Sequence, residues 1–498
     1  MTPTAAPVLR LSKSRFTAGL QCARQLWWRV HEPDAPELVP DVVTQKLFDQ
    51  GSRIGELART HVPGGVLIDL PHNAYEERLA ATKAALDAGA EVIYEASFSA
   101  DDVYAAVDVL ERTPDGYRLI EVKSSLSAKD IHILDAAIQA HVLDRSGVHV
   151  DGVQIMHLNR ACTAPDLSDL FVRTDVTRRV DDFLAYVPTR VEEMLRMLAG
   201  PIPRADIGAH CGEPYACPFR ERCWDKVPEH HVTTMYLAGR RAWEWVEAGH
   251  ETVADLPFNP KMSPVARRQW KAVRENRRIV EPGLAEKLDA LPRPLAFLDF
   301  ETVMSAVPRW PGDRPYTQIP AQFSVHRETA DGSFEHVAFL AEPGEDPRPA
   351  IARAVLEACE GAATILAYNM PFEKKCLERL SEANGVDRLL GGRVRWLVPK
   401  LVDLLPLVRD HVYDPAFFGK FGLKNVLPVL VPDLSYEDLA IQDGQVASTL
   451  LERLVLGELP PEEHARLKQD VLAYCERDTW ATVRLFEALE QLCSEDCG

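Results

Sequence analysis

Apolar and polar residues alternate in two runs between Val103 and Ser125, separated by Thr113-Pro114-Asp115-Gly116. Pro and Gly stand where a tight turn wants them, and alternation marks half-buried strands, so this stretch predicts a β-hairpin. Upstream, Leu11 to Val30 predicts a helix entered through a Ser12 or Ser14 cap. Gln45 to His61 predicts a second helix, Tyr75 to Gly89 an amphipathic surface helix, and Val92 to Phe98, containing Glu95, a strand. Gly51 and Gly55 inside the second helix each cost about 1 kcal/mol relative to Ala, which predicts close packing or close approach to a ligand there. Downstream, Ile131 to Leu143 predicts a helix and Gly152 to Leu158 an apolar strand. Residues 229–291 read as a helical connector. Beyond it, Pro294 to Thr302 is a short apolar strand, Thr364 onward a buried strand leading into a helix, and Tyr474 to Asp478 part of a helix. The expected class is α/β.

At 498 residues the chain predicts two or three domains. Its 46% hydrophobic and 26% charged shares are globular values. No run of about 18 apolar residues occurs, so no transmembrane helix is expected. The first residues lack the apolar core of a secretory signal, so the expected location is cytoplasmic. Ten cysteines in such a chain do not form a disulfide framework. A net charge of −19 argues against wholesale coating of nucleic acid but leaves room for a local groove. Two basic blocks stand out. Residues 1–30 carry Arg10, Lys13, Arg15, Arg24 and Arg29 with no acid, and 261–280 carries seven Lys or Arg against Glu275. Such blocks are either solvated helix faces or phosphate contacts.

The predicted hairpin carries Asp108 on its first strand and Glu121 and Lys123 on its second. Glu121 and Lys123 are two apart and leave the same face. Asp108 joins them if Thr113 pairs with Gly116, which sets Asp108 opposite Glu121. A type I turn with a Gly bulge would slip the register and turn Asp108 away. Two carboxylates suit a divalent metal, and a lysine beside them suits an attacking water and developing phosphate charge. A second signal is CGEPYACPFRERC, with Cys211, Cys217 and Cys223 in loop-forming surroundings. Clustered thiolates favour zinc or an iron–sulfur cluster. A fourth ligand is needed, for which His210, Cys22 and Cys162 are at hand.

A distant N-terminal cysteine and a later trio bracketing Asp…Glu-x-Lys resembles the iron–sulfur RecB-like PD-(D/E)xK nucleases, among them CRISPR-adaptation nucleases and AddB-type subunits. The resemblance covers roughly residues 8–228. It implies a restriction-endonuclease-like mixed sheet with flanking helices over 1–228. In that fold a 4Fe–4S cluster on Cys22, Cys211, Cys217 and Cys223 staples the two ends together. It further implies metal binding by Asp108 and Glu121 and a catalytic role for Lys123. Glu56, on the Gly-x-x-x-Gly-Glu helix, matches the family's first motif, and Gln139 its glutamine motif. Two departures stand: Leu143 replaces the tyrosine usual after that glutamine, and both gaps in the cysteine trio hold five residues. Zinc therefore remains an alternative.

In the connector, a helix, the Gly249 turn and Asp255-Leu256-Pro257 resemble one helix-hairpin-helix half, with a plain helical linker as the competing reading. Trp243, Trp245 and Trp270 fit core positions. Farther on, Asp299-Phe-Glu301 ends a strand, Asn369-Met-Pro-Phe372-Glu373 begins a helix, Asp403 follows in LVDLLPLVRDHVY, and Tyr474 and Asp478 share a helix face. In this order the motifs resemble DnaQ-like DEDD exonucleases of the tyrosine subtype, on an RNase H-like fold over 292–498. That implies two Mg²⁺ or Mn²⁺ ions on Asp299, Glu301, Glu373 and Asp478, with Tyr474 positioning water. Glu373 stands where the family has Asp. The combined expectation is a metal-dependent nuclease with two sites, acting on DNA rather than RNA, at single strands or ends, without membrane association. The alternatives are a non-catalytic nucleic-acid-binding scaffold and a zinc-stapled nuclease acting on RNA.

Overall fold

Helices and strands interleave along the whole chain, and the computed structural model, which describes residues 10–457 and 459–495, is mixed α/β. The chain divides into two compact units, Met1–Lys226 with Ala306–Pro308, and Val227–Ser305 with Arg309–Gly498. No described helix is long and apolar enough to cross a membrane.

The first unit is built on a seven-stranded mixed sheet: β1 (Leu11–Ser12), β2 (Val66–Leu67), β3 (Val92–Ala100), β4 (Val103–Arg112), β5 (Tyr117–Lys123), β6 (Val150–Leu158) and β7 (Phe171–Asp175). The strand order is β2-β3-β4-β5-β6-β7, and β1 runs parallel to the start of β4. The β4–β5 hairpin pairs Val109 with Ile120 and Arg112 with Tyr117, and the Thr113 N–H closes on Gly116 O at 3.0 Å. This is the register without a Gly bulge, and its continuation sets Asp108 opposite Glu121. Along β4, buried Val103, Ala105 and Val107 alternate with half-buried Tyr104, Ala106 and Asp108. The helix Asp130–Arg145 covers the apolar face, burying Ile133, Ala137 and Ala140 in the same core as Val107, Leu119 and Ile155.

Three expectations need correction. The helix read over Leu11 to Val30 is β1 followed by α1 (Lys13–Gln21) and α2 (Ala23–His31), interrupted at Cys22. Cys22 takes an extended conformation, φ −159° and ψ 123°, which turns the chain and breaks the helical ladder. In α3 (Val42–His61), a Cβ added at Gly51 or Gly55 meets nothing within 4 Å, so among the described residues no close packing requires these glycines. α4 (Tyr75–Asp87) is more than a surface helix, because it buries Arg78, Thr82 and Ala85.

Arg78 is only 2% exposed, and a buried guanidinium must find partners for its donors. It donates to Leu70 O at 2.6 Å, to Ser97 Oγ and the Tyr104 hydroxyl at 3.1 Å each, and pairs with Glu95 Oε2 at 3.5 Å. Glu95 stands opposite Asp108 at a gap in the β3–β4 ladder: Tyr94 pairs with Val109 and Ala96 with Val107 in one unbroken register, and Glu95 takes φ 58°.

The second unit centres on a five-stranded sheet of order β11-β10-β9-β12-β13, with a separate pair β8–β14. Here β8 is Ile279–Val280, β9 Leu295–Val303, β10 Ile319–Glu328, β11 Phe334–Leu340, β12 Thr364–Ala367, β13 Leu401–Asp403 and β14 Val412–Tyr413. β9 lies in the middle, antiparallel to β10 and parallel to β12. The connector stretch belongs to this unit. Its helix Pro264–Glu275 places Val265 and Ala272 in one core with Leu404, Phe417 and Phe486. Buried Arg268 donates to Arg409 O, Asp410 O and Glu281 Oε1 at 2.6–3.0 Å. Gly249 turns the chain at φ 83°, and Trp245 and Trp270 are partly buried against Val232, Val253 and Leu256.

Arg78→Met keeps most of the volume but strands Ser97, Tyr104 and Glu95 around a missing charge. It is expected to destabilise the first unit by about 3 kcal/mol, read from the urea unfolding midpoint.

Candidate functional site

In the second unit, β9 ends at the sheet centre with Asp299 and Glu301, two residues apart and on one face. The C-terminal helix Pro461–Glu495 crosses there and brings Asp478. One ligand oxygen from each of these three carboxylates lies within 4.8 Å of the others. Tyr474 and Cys475 approach from the preceding helical turn: Cys475 Sγ donates to Asp299 Oδ2 at 3.6 Å, and Tyr474 lies near enough to Asp478 to act on its carboxyl. The Tyr436 hydroxyl donates to Asp478 Oδ1 at 2.5 Å. Lys424 Nζ sits 4.8 Å from the Tyr474 ring centroid and 5.0 Å from that of Tyr436.

Burial with neighbouring acids raises every carboxylate of this group. Desolvation, then Asp478, pushes Glu301 up to about 8 against the pull of Lys424. Asp299 rises well above the usual carboxylate range for the same reason, with Asp478, Glu301 and Glu373 adding repulsion. Glu373 lies at the start of the helix Pro371–Ser381, outside the tight trio but close enough to act on Asp299 and Glu301. Burial raises Glu373 to about 8, and its Oε2 is a buried acceptor without a hydrogen-bond partner. Asp403 ends β13 and caps the next helix, its Oδ1 accepting the N–H groups of Asn369 and Leu405 at 3.0 Å each. Its carboxylate thus has a structural duty. All-oxygen, crowded and unneutralised, the trio has the donor chemistry that suits hard divalent cations.

In the first unit the hairpin brings Asp108, Glu121 and Lys123 together. Glu121 is 1% exposed and fully engaged. Its Oε1 accepts from Lys13 Nζ at 2.6 Å and lies 2.8 Å from Lys123 Nζ, while Oε2 accepts from Gln139 Nε2 at 2.8 Å. Lys123 also donates to Asp135 Oδ2 at 2.6 Å. Burial works against the charge on Glu121, but Lys123 and Lys13 outweigh it and hold the carboxyl well below the usual range. Asp108 takes the opposite course: burial, then repulsion from Glu121, pushes it up to about 7. Its Oδ2 accepts the Val122 N–H at 2.6 Å. Glu56 does not join this group. It is exposed on α3, and no hydrogen bond or ion pair among the described residues ties it to Asp108 or Glu121. Glu95, opposite Asp108 on β3, does act on it.

The cysteines meet where the two ends of the unit dock. Gln21 Nε2 donates to His210 O and Tyr215 O at 2.7 Å each, and Trp28 packs on Phe219 with ring centroids 5.1 Å apart. Arg222 pairs with Glu32 and Glu37 at 2.6 Å each. Burial pushes the Cys217 thiol up to about 11, and Cys22, Cys211 and Cys223 are near enough to add to the shift. Cys162 lies apart, its Sγ directed to Asp166 O at 3.6 Å.

Four contributors escaped the sequence reading. Lys13 follows a two-residue strand whose pairing with β4 has no local signature. Glu95 was read only as a strand residue. Tyr436 and Lys424 come from segments that carry neither of the acid motifs.

Because Glu301 and Glu373 move from the usual 4.5 to about 8, the folded protein holds protons that the unfolded chain releases across that interval. Stability of the metal-free second unit therefore falls as pH rises from about 4.5 to 8. Urea midpoints at about pH 5.5 and about pH 8 are expected to differ in that direction, and Glu373→Gln to narrow the gap.

A family described as "Domain of unknown function (DUF2779)" matches residues 296–422, which takes in Asp299, Glu301, Glu373 and Asp403 but stops before Tyr474 and Asp478. An uncharacterized protein of Mycoplasma pneumoniae is 26% identical over 208 residues, 38% of this chain and 31% of its own length. An uncharacterized protein of Ureaplasma parvum is 20% identical over 218 residues, 40% of this chain and 31% of its own. The chain thus spans about a third of the length of the curated relatives it matches.

Proposed function

We propose that the chain is a metal-dependent nuclease that hydrolyses phosphodiester bonds of DNA, with one site in each unit. The observation that carries this reading is the convergence of Asp299, Glu301 and Asp478 within 4.8 Å in a buried, acid-rich position with a single lysine nearby. Asp299, Glu301 and Asp478 would hold Mg²⁺ or Mn²⁺, with Glu373 and its unpartnered Oε2 as a further ligand. Such ions, when bound, neutralise the charge that develops on the attacking and leaving oxygens of a phosphodiester. Tyr474, four residues before Asp478 on the same helix, would orient the attacking water, and Tyr436, bonded to Asp478 Oδ1, would fix that carboxylate. Lys424 would steady the phosphate.

In the first unit, Asp108 and Glu121 would bind a metal, with Lys123 next to the reacting phosphate and Gln139 holding Glu121 in place. A 4Fe–4S cluster on Cys22, Cys211, Cys217 and Cys223 would join the two ends of that unit.

With labelled single- and double-stranded DNA and RNA in Mg²⁺ or Mn²⁺, Asp299→Ala and Asp108→Ala are each expected to lower cleavage at their own site by at least about a hundredfold. Cleavage that persists in the double substitution would refute the reading. Tyr436→Phe is expected to weaken metal binding by roughly 10–100-fold, measured by calorimetry. Protein purified without oxygen is expected to be brown, absorbing at roughly 400 nm, and Cys217→Ser to lose that band. Colourless protein containing zinc would replace the cluster.

A further inference from the structure

A cavity of about 1190 Å³ opens in the first unit. One wall is β4, which contributes Tyr104 and Ala106. Those residues alternate with Val103, Ala105 and Val107, whose side chains enter the core, so the cavity lies on the face of β4 turned away from that core. A second wall is Arg10, Ser12, Ser14 and Arg15. Ser12 pairs with Tyr104 across the β1–β4 ladder.

Its lining joins aromatic rings to cations. Tyr75, the first residue of α4, is 41% exposed. Its ring is held edge-on to Tyr104, centroids 5.0 Å apart at 81°, and the Arg10 guanidinium lies 5.4 Å from its centroid. The ring is thus fixed in place while much of its surface faces solvent. Arg15 Nη1 donates to Arg10 O at 2.7 Å, and no carboxylate among the described residues forms an ion pair with Arg10 or Arg15. His31 and His72 line the same space. Of its two acids, Glu32 is already paired with Arg222, leaving Asp34. Cations without counter-ions beside an anchored, exposed ring match a ligand made of phosphates and flat bases. The volume exceeds the roughly 300–1,000 Å³ of small-molecule sites, so it has room for several linked units.

We propose that this cavity binds a single-stranded segment of nucleic acid, with a base stacked on Tyr75 and the flanking phosphates on Arg10 and Arg15. The proposal takes its class of ligand from the nuclease reading, but binding itself needs no metal. Single strands are favoured because the faces of duplex bases are already stacked on one another and cannot cover a tyrosine ring.

Binding is measured on the full chain in EDTA by fluorescence anisotropy, using a labelled oligothymidylate of about ten nucleotides, a hairpin duplex, and thymidine monophosphate as competitor. The single strand is expected to bind best and the mononucleotide to compete poorly. Tyr75→Ala and Arg10→Ala are each expected to weaken binding by roughly tenfold, and Tyr75→Phe to retain it. In parallel, an oligonucleotide carrying 5-iodouracil is photocrosslinked, and the peptide with Tyr75 is expected among the products. The crosslink distinguishes this cavity from any other strand-binding surface of the chain. Crosslinks that leave out Tyr75, preference for the duplex, or equal competition by the mononucleotide would overturn the proposal. Binding and crosslinking at Tyr75 without cleavage in Mg²⁺ or Mn²⁺ would sink the nuclease reading alone. Cleavage without a Tyr75 crosslink would sink this proposal alone.

Discussion

Carboxylates held together out of water impose the constraint around which each unit is arranged. Moving one such group into a protein interior is costly, and placing a second beside it adds repulsion, so each must be neutral, hydrogen-bonded or matched by a cation. In the second unit the long C-terminal helix delivers Tyr474, Cys475 and Asp478 from adjacent turns, and β9 presents Asp299 and Glu301 to them. Hydroxyl and thiol donors satisfy some oxygens, and Lys424 supplies one positive charge. The remaining charge is left to protons.

The first unit meets the same constraint from its own resources. Lys13 and Lys123 converge on one oxygen of Glu121, Gln139 takes the other, and Asp108, pushed up to about 7, is the carboxyl of the pair that takes up a proton first as pH falls. That group carries two lysines for its two carboxylates, whereas the second unit's group has Lys424 alone among its named neighbours. The difference follows from where the lysines are rooted. Lys123 stands on the same strand as Glu121, and Lys13 arrives through the β1–β4 pairing, whereas Lys424 lies on a helix that reaches the acids only at their edge.

The parts of this arrangement legible in the sequence are those with a local period. Alternation and Pro-Asp-Gly fixed the hairpin, and the even spacing of Glu121 and Lys123 placed them on one face. The same rule worked for Asp299 and Glu301. What stayed hidden depends on long-range pairing. A strand of two residues, Leu11–Ser12, has no pattern to read, yet it positions Lys13. Cys22 sits inside a run whose composition favours helix, and only docking against the loop after residue 200 makes its extended conformation worthwhile. The gap at Glu95 is invisible because it adds no residue to either strand: the register holds on both sides while the core face passes from Ile93 to Ala96 and Phe98. Gly51 and Gly55 misled in the other direction as to packing, since no side chain or backbone of the fold comes close to either.

The meeting of Cys22 with the Cys211–Cys223 loop also orders events in time. Cys22 leaves the ribosome about two hundred residues before Cys223, and at about 5–20 residues per second that interval is roughly 10–40 s. The β4–β5 hairpin and the helix behind it close short loops and form early in that interval, while the docking of Gln21 on the His210 and Tyr215 carbonyls closes the longest loop in the unit and comes last. For that period the thiol of Cys22 stands without its three neighbours, so the nascent unit carries a sheet already assembled and an end still unfastened.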